Sequence, residues 1–151
     1  MLVQSDLVDV YVFRREPCVQ FLQLLRTEAP MEATWHPVMG HVREGETALE
    51  AALRELSEET GLTRAEMLGF WALQEVSPYF IPPNTVKVSG RFAAEVGRLW
   101  QPTLNAEHHE HRWRNYSEVD RAFLWPGQRA ACREVKTVIV AGHEAAKWQL
   151  V

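Results

Sequence analysis

The stretch from Thr47 to Gly61 constrains this chain more than any other, because it specifies a helix together with a conflict. Thr47 and Glu50 form a Thr-x-x-Glu capping box and Gly61 supplies a stop, which predicts a helix over residues 48–60. Leu49, Ala52, Leu53 and Leu56 recur at i, i+3, i+4 and i+7, the spacing of a buried stripe. At 100° per residue, Glu55, Glu58 and Glu59 fall within an arc of about 100° away from that stripe, with nothing basic among them. Like charges at i, i+3 and i+4 repel, so the helix favours a cation on that face. Ligation by oxygen alone suits a hard divalent ion, Mg²⁺ first and Mn²⁺ second. Such an ion completes its shell with water and substrate phosphates.

The carboxylates sit at fixed distances from other residues. Gly40 is followed by five residues, Glu46, seven more, and then Arg54-Glu55-Leu56-Ser57-Glu58-Glu59-Thr60-Gly61-Leu62. Seven fixed residues and two aliphatic ones match such a pattern by chance at a frequency on the order of 10⁻⁹ per start position. The segment resembles the signature of the Nudix hydrolase family, G-x5-E-x7-R-E-U-x-E-E-x-G-U with U aliphatic. That resemblance implies an α/β/α sandwich with a mixed β-sheet and a loop-helix-loop catalytic box. It also implies metal-dependent hydrolysis of nucleoside diphosphates linked to another group. On it, Glu55, Glu58 and Glu59 are metal ligands, one of them acting instead as base through a metal-bound water, with Glu55 as suitable as Glu59. The carbonyl of Met39 or Gly40 joins the shell, and Glu46 pairs with Arg54 to hold the loop to the helix. The general chemistry agrees: bound metals bridge phosphate oxygens and acidify the attacking water.

Outside the box the chain resembles the branch of dihydroneopterin triphosphate pyrophosphatases, also described as dATP pyrophosphohydrolases. Leu25-Arg26, Trp35, residues 42–47, Glu107-His108, Trp113, Trp125 and Gln128 carry that likeness. It makes Glu107 the candidate for a further metal carboxylate from outside the box. It implies conversion of a nucleoside or pterin triphosphate to the monophosphate and pyrophosphate. Tyr79, seventeen residues after Leu62, parallels a marker of diadenosine tetraphosphate hydrolases, and Pro78 parallels one of ADP-ribose pyrophosphatases. A domain with an intact box but no catalysis, used for ligand sensing or scaffolding, is the alternative from another class. The intact carboxylate set argues against it.

A nucleobase or pterin needs an apolar or aromatic slot with a few polar groups. Trp35, Tyr79 and Phe80 are the candidates, with Arg26 as a phosphate clamp. The run Glu107-His108-His109-Glu110-His111 invites a zinc reading, but zinc needs further converging ligands. A solvated loop supplying one carboxylate is the preferred reading. Cys18 and Cys132 read as small buried hydrophobes, and His36, His41 and His143 show no usable pattern.

The rest of the chain frames this centre. Residues 7–13 and 18–26 read as a strand pair, 35–39 as a short extended piece, 70–76 and 85–94 as strands, and 110–113 as one more. Ser117 and Asp120 suggest a short helix ending near Trp125, and residues 128–148 a long C-terminal helix. With no repeat or linker, one domain over residues 1–151 is expected. Two cysteines and no secretory or membrane-spanning pattern suit the cytoplasm. The net charge of −4 disfavours nucleic acid as a partner, so a small-molecule nucleotide is expected and a homodimer is left open. Residues 41–61 hold six glutamates and two arginines, which accounts for the whole of that charge.

Overall fold

The computed structural model describes residues 1–29, 33–144, 146 and 148–150. Eight strands form one mixed sheet: β1 (Leu2–Arg14), β2 (Gln20–Arg26), β3 (Trp35–His36), β4 (Val38–His41), β5 (Gly69–Ala72), β6 (Tyr79–Ile81), β7 (Thr85–Glu95) and β8 (His108–Asn115). The helices are α1 (Ala48–Thr60), α2 (Val119–Ala122) and α3 (Pro126–Glu134), the last continued by a π-helical turn over Val135–Val140. β1 is the central strand. It runs parallel to β7 on one side and antiparallel to β2 and β4 on the other. β5 and β6 pair antiparallel with β7, while β3 and β8 pair antiparallel with β2.

Period-two alternation along β1 sorts its side chains between two cores. Val8, Val10 and Val12 pack with Ala51, Ala52 and Leu56 of α1 on one face. Tyr11 and Phe13 pack with Phe123, Ala131, Cys132 and Val135 on the other. The sheet is therefore sandwiched between α1 and the α2–α3 unit, as the Nudix-type α/β/α expectation requires.

Several expected boundaries shift. The first strand of the chain begins five residues early, at Leu2, because its outer end pairs with Thr85 to Lys87 of β7. The C-terminal helix does not reach residue 148. The crowded β-branched run Val135–Val140 widens into a π turn, and Gly142 adopts φ 70°, which ends it. The chain then returns to the sheet, with Ala72 N donating to Trp148 O at 3.0 Å. Residues 108–115 are a full strand rather than a solvated loop, because β2 offers them an open edge. Cys18 is exposed in the turn before β2, while Cys132 is buried as expected.

Candidate active site

The local geometry of α1 follows its sequence. Thr47 Oγ1 accepts from Glu50 N at 3.2 Å and Glu50 Oε2 accepts from Thr47 N at 2.8 Å, a complete capping box. Gly61, at φ 72°, closes the other end with its N–H on Ser57 O. The buried face is Ala51, Ala52, Glu55, Leu56, Glu59 and Thr60, so two of the three carboxylates turn inward rather than away from the core. Leu49 and Leu53 are only partly buried.

Glu55 lies over Gly40 of β4 so closely that a Cβ built on Gly40 would overlap its carboxylate. Glu59, 1% exposed, lies one helical turn further and hydrogen-bonds the Met39 backbone. Its Oε1 is 3.3 Å from His108 Nε2, and its Oε2 has no partner among the described residues. Burial, then the neighbouring Glu55 and Glu107 charges, push its pKa up to about 10. Glu107 stands on the turn before β8, where its carbonyl accepts from Thr27 N and Thr27 Oγ1, both at 2.9 Å. Ligand atoms of Glu59, Glu107 and His108 lie within 4.8 Å of one another. An orphaned buried carboxylate oxygen among converging carboxylates fits a divalent cation, whose charge would relieve both the burial cost and the repulsion.

Glu58 is not drawn into this cluster. Its side chain is 45% exposed and faces Arg43 Nη2 at 3.6 Å and Arg54 Nη1 at 3.4 Å. The expectation that nothing basic attends the three glutamates therefore fails, because a long arginine reaches along the helix to i+4. Arg54 also donates to Glu46 through Nε at 2.8 Å and Nη2 at 2.9 Å, to Glu55 at 2.7 Å and to His41 O at 2.9 Å. The pair fastens the loop to the helix. It pulls the Glu46 pKa down to about 2 and raises that of Arg54.

Two histidines complete the surroundings: His108, marked in the sequence by the Glu107-His108 likeness and the Glu107–His111 run, and His36, for which the sequence offered no pattern. His36 Nε2 is 3.3 Å from His108 Nε2, and His36 Nδ1 is 2.6 Å from Pro37 O. Burial lowers the pKa of both, against the Pro37 hydrogen bond at His36, and His36 and then Arg26 help push that of His108 down to about 4. Arg26, in register with His108, is thus at the edge of the cluster. Only long-range pairing of β2 with both β3 and β8 unites these residues, and no local pattern carries that.

On the opposite face of the sheet lies a cavity of about 90 Å³ lined by Asp9, Met39, Tyr79, Ser89, Arg91 and Trp125, among others. The Tyr79 and Trp125 rings stack with centroids 5.7 Å apart at 23°. Met39 belongs to both sites, so the thickness of one strand separates the cavity from the carboxylates. Of the three aromatic candidates only Tyr79 lines this cavity. Phe80 is 53% exposed, and Trp35 lies beneath the Arg112 guanidinium at 4.1 Å.

A mixed sheet between helices gathers carboxylates where a glycine strand meets a helix, an arrangement suited to holding a divalent cation. The NUDIX domain family model matches residues 6–135, and the chain belongs to the Nudix family as a pyrophosphohydrolase. Bis(5'-nucleosyl)-tetraphosphatase [asymmetrical] from Sus scrofa is 30% identical over 113 residues, 73% of this chain and 70% of the relative. The Rattus norvegicus enzyme of the same name is 29% identical over 110 residues, with the same coverage of each chain. The fold is shared with the C. elegans Ap4A hydrolase binary complex, at TM-score 0.75 and 20% identity over 94% of this chain and 99% of that one. It is shared too with the E. coli dihydroneopterin triphosphate pyrophosphohydrolase, at TM-score 0.73 and 24% identity over 91% and 95%. Nudix enzymes use divalent metals and act on small nucleotides. Among the described residues no helix is long and apolar enough to cross a membrane.

Proposed function

We propose that this protein hydrolyses a nucleoside or pterin triphosphate to the monophosphate and pyrophosphate, with Mg²⁺ held by Glu55, Glu59 and Glu107. The observation that carries the reading is the buried, unpartnered Oε2 of Glu59 among converging carboxylates. A divalent cation bound there supplies positive charge to phosphate oxygens and acidifies the attacking water. Glu55 and Glu59, both within the helix, would fix the position of that charge, one of them serving instead as the base that takes the proton of the water. Gly40 permits the close approach, and its neighbour Met39 orients Glu59. Arg54 holds Glu55 while Glu46 holds Arg54. Glu58, exposed and paired with arginines, contributes field rather than a central ligand. Arg26 meets the distal phosphates. The ring of the substrate enters the cavity between Tyr79 and Asp9. Free Cys18 and Cys132 suit a reducing, cytoplasmic setting.

A dinucleoside tetraphosphate is the second reading, favoured by the activity named for the curated relatives. Separation of the products by ion-exchange chromatography after incubation with Mg²⁺ and dATP, dGTP, dihydroneopterin triphosphate, diadenosine tetraphosphate or ADP-ribose tests both. Pyrophosphate and monophosphate from one of the triphosphates support the first reading. ATP together with AMP from diadenosine tetraphosphate as the fastest reaction would replace it with the second.

A further inference from the structure

The cavity holds a second buried carboxylate that the metal centre does not use. Asp9 is 2% exposed on the central strand. Its Oδ2 accepts from Tyr11 Oη at 2.5 Å and from Arg91 Nε at 3.2 Å. Its Oδ1 has no partner among the described residues, although Asp9 lines the cavity. A buried acceptor without a donor is costly, and burial pushes the Asp9 pKa up against the opposing pull of Arg91. The cluster has little room to rearrange and satisfy it. Arg91 Nη1 is bound to Gly127 O at 3.0 Å, and a Cβ on Gly127 would come within 2.6 Å of Arg91 Nη2. Asp9 and Tyr79 line the same cavity, and burial first, then the Asp9 charge, raises the Tyr79 pKa.

We infer that Asp9 is a specificity-determining residue whose free Oδ1 accepts one N–H from an amino group on the edge of the bound heterocycle. The inference rests on the reading that the substrate's ring enters this cavity. Tyr79 and Trp125 supply a π surface that tolerates any base, so ring identity must be read by polar edges. With Oδ2 committed to two donors, one acceptor remains, and it matches one exocyclic amino hydrogen. A ring that offers a carbonyl or a bare C–H at that edge leaves Oδ1 unpaired. Discrimination of this kind comes from the penalty on the wrong ring.

The test compares rings that differ by one amino group: dATP against purine deoxyriboside triphosphate, and dGTP against dITP. For wild-type protein, removing the amino group in one of the two pairs should lower kcat/KM roughly 10- to 100-fold. Asp9→Asn makes a sharper prediction. Tyr11 and Arg91 both donate, so the asparagine carbonyl must face them, which turns its NH₂ toward the cavity. The variant should therefore lose or invert the preference, accepting the ring with the acceptor edge. Calorimetric binding of the corresponding monophosphates repeats the comparison without catalysis, and circular dichroism checks that the variant is folded. If the variant does not fold, the wild-type pairs still decide. Equal values within both wild-type pairs, in turnover and in binding, would overturn the inference and assign Oδ1 to water. Absence of turnover with intact, amino-dependent binding would instead overturn the hydrolytic reading and leave Asp9 in place.

Discussion

Gly40 and Glu55 occupy space that only a glycine on the strand allows them to share: a Cβ at position 40 would fall on the Glu55 carboxylate. The helix can thus lean on β4 and bring Glu55 against Gly40 and Glu59 to the backbone of Met39. Gly40→Ala should leave the fold intact, because neither φ nor the core is disturbed, yet displace Glu55. A loss of kcat of about 100-fold is expected from misplaced catalytic groups. Steady-state kinetics with circular dichroism as the folding control measures it. Unchanged kcat would separate Glu55 from the chemistry.

Glu59 exchanges stability for activity. It is a buried carboxylate with an unpaired oxygen and two like-charged neighbours, so Glu59→Gln should stabilise the metal-free protein while lowering kcat about 100-fold or more. A gain of about 1 kcal/mol corresponds to roughly 2–4 °C in Tm for a chain of this size. Wild-type protein should gain about 2.7 kcal/mol from Mg²⁺ at about 100 times Kd, and the variant much less. Scanning fluorimetry with and without EDTA reads both. A wild-type Tm indifferent to Mg²⁺ and Mn²⁺ would count against the site.

Arg54 is used bidentately by Glu46 and simultaneously by Glu55, a geometry lysine cannot reproduce. Arg54→Lys should fold normally and lower kcat roughly 10- to 100-fold, the usual effect of losing an outer partner of a metal ligand. The Glu46 pKa, lowered to about 2, gives the pairing a pH signature. Because the folded pKa lies below the unfolded one of about 4.5, the contribution is full above pH 4.5 and fades as pH falls toward 2. The Tm gap between wild type and Glu46→Gln should shrink over that window. A gap constant from pH 6 to 3 would show the pair to be incidental.

Trp125 backs Tyr79 at the cavity, on the face of the sheet away from Glu55 and Glu59. Trp125→Ala should raise KM about 2- to 10-fold, the worth of one aromatic contact, and leave kcat nearly unchanged. A fall in kcat with constant KM would place the substrate's ring elsewhere.

How much of this was legible in the sequence depends on the range of the interaction. α1, its caps and the carboxylate face follow from contacts within four residues, and both ends of the helix lie where Thr47 and Gly61 put them. The strand runs were legible because alternation is local, while the α/β/α arrangement was implied by the family resemblance. The inward turn of Glu55 and Glu59 was not legible, since it is decided by Gly40 on a strand fifteen residues away. His36 and His108 come together only through β2, which pairs with both their strands. Asp9 was hidden in an apolar run, where one aspartate looks like an interruption. Trp35 and Phe80 lie outside this cavity, Trp35 under the Arg112 guanidinium and Phe80 exposed, because strand pairing and not nearness in sequence decides which aromatic lines it.

One measurement bears most directly on the metal centre: product formation from the nucleotide panel, resolved by ion-exchange chromatography, by the metal-free protein, with Mg²⁺ or Mn²⁺ then added back, for wild type and Glu59→Gln. No product is expected without metal, turnover of at least one nucleotide on adding it, and a loss of about 100-fold or more in the variant. Equal product formation in EDTA, or wild-type rates for Glu59→Gln, would contradict the metal centre.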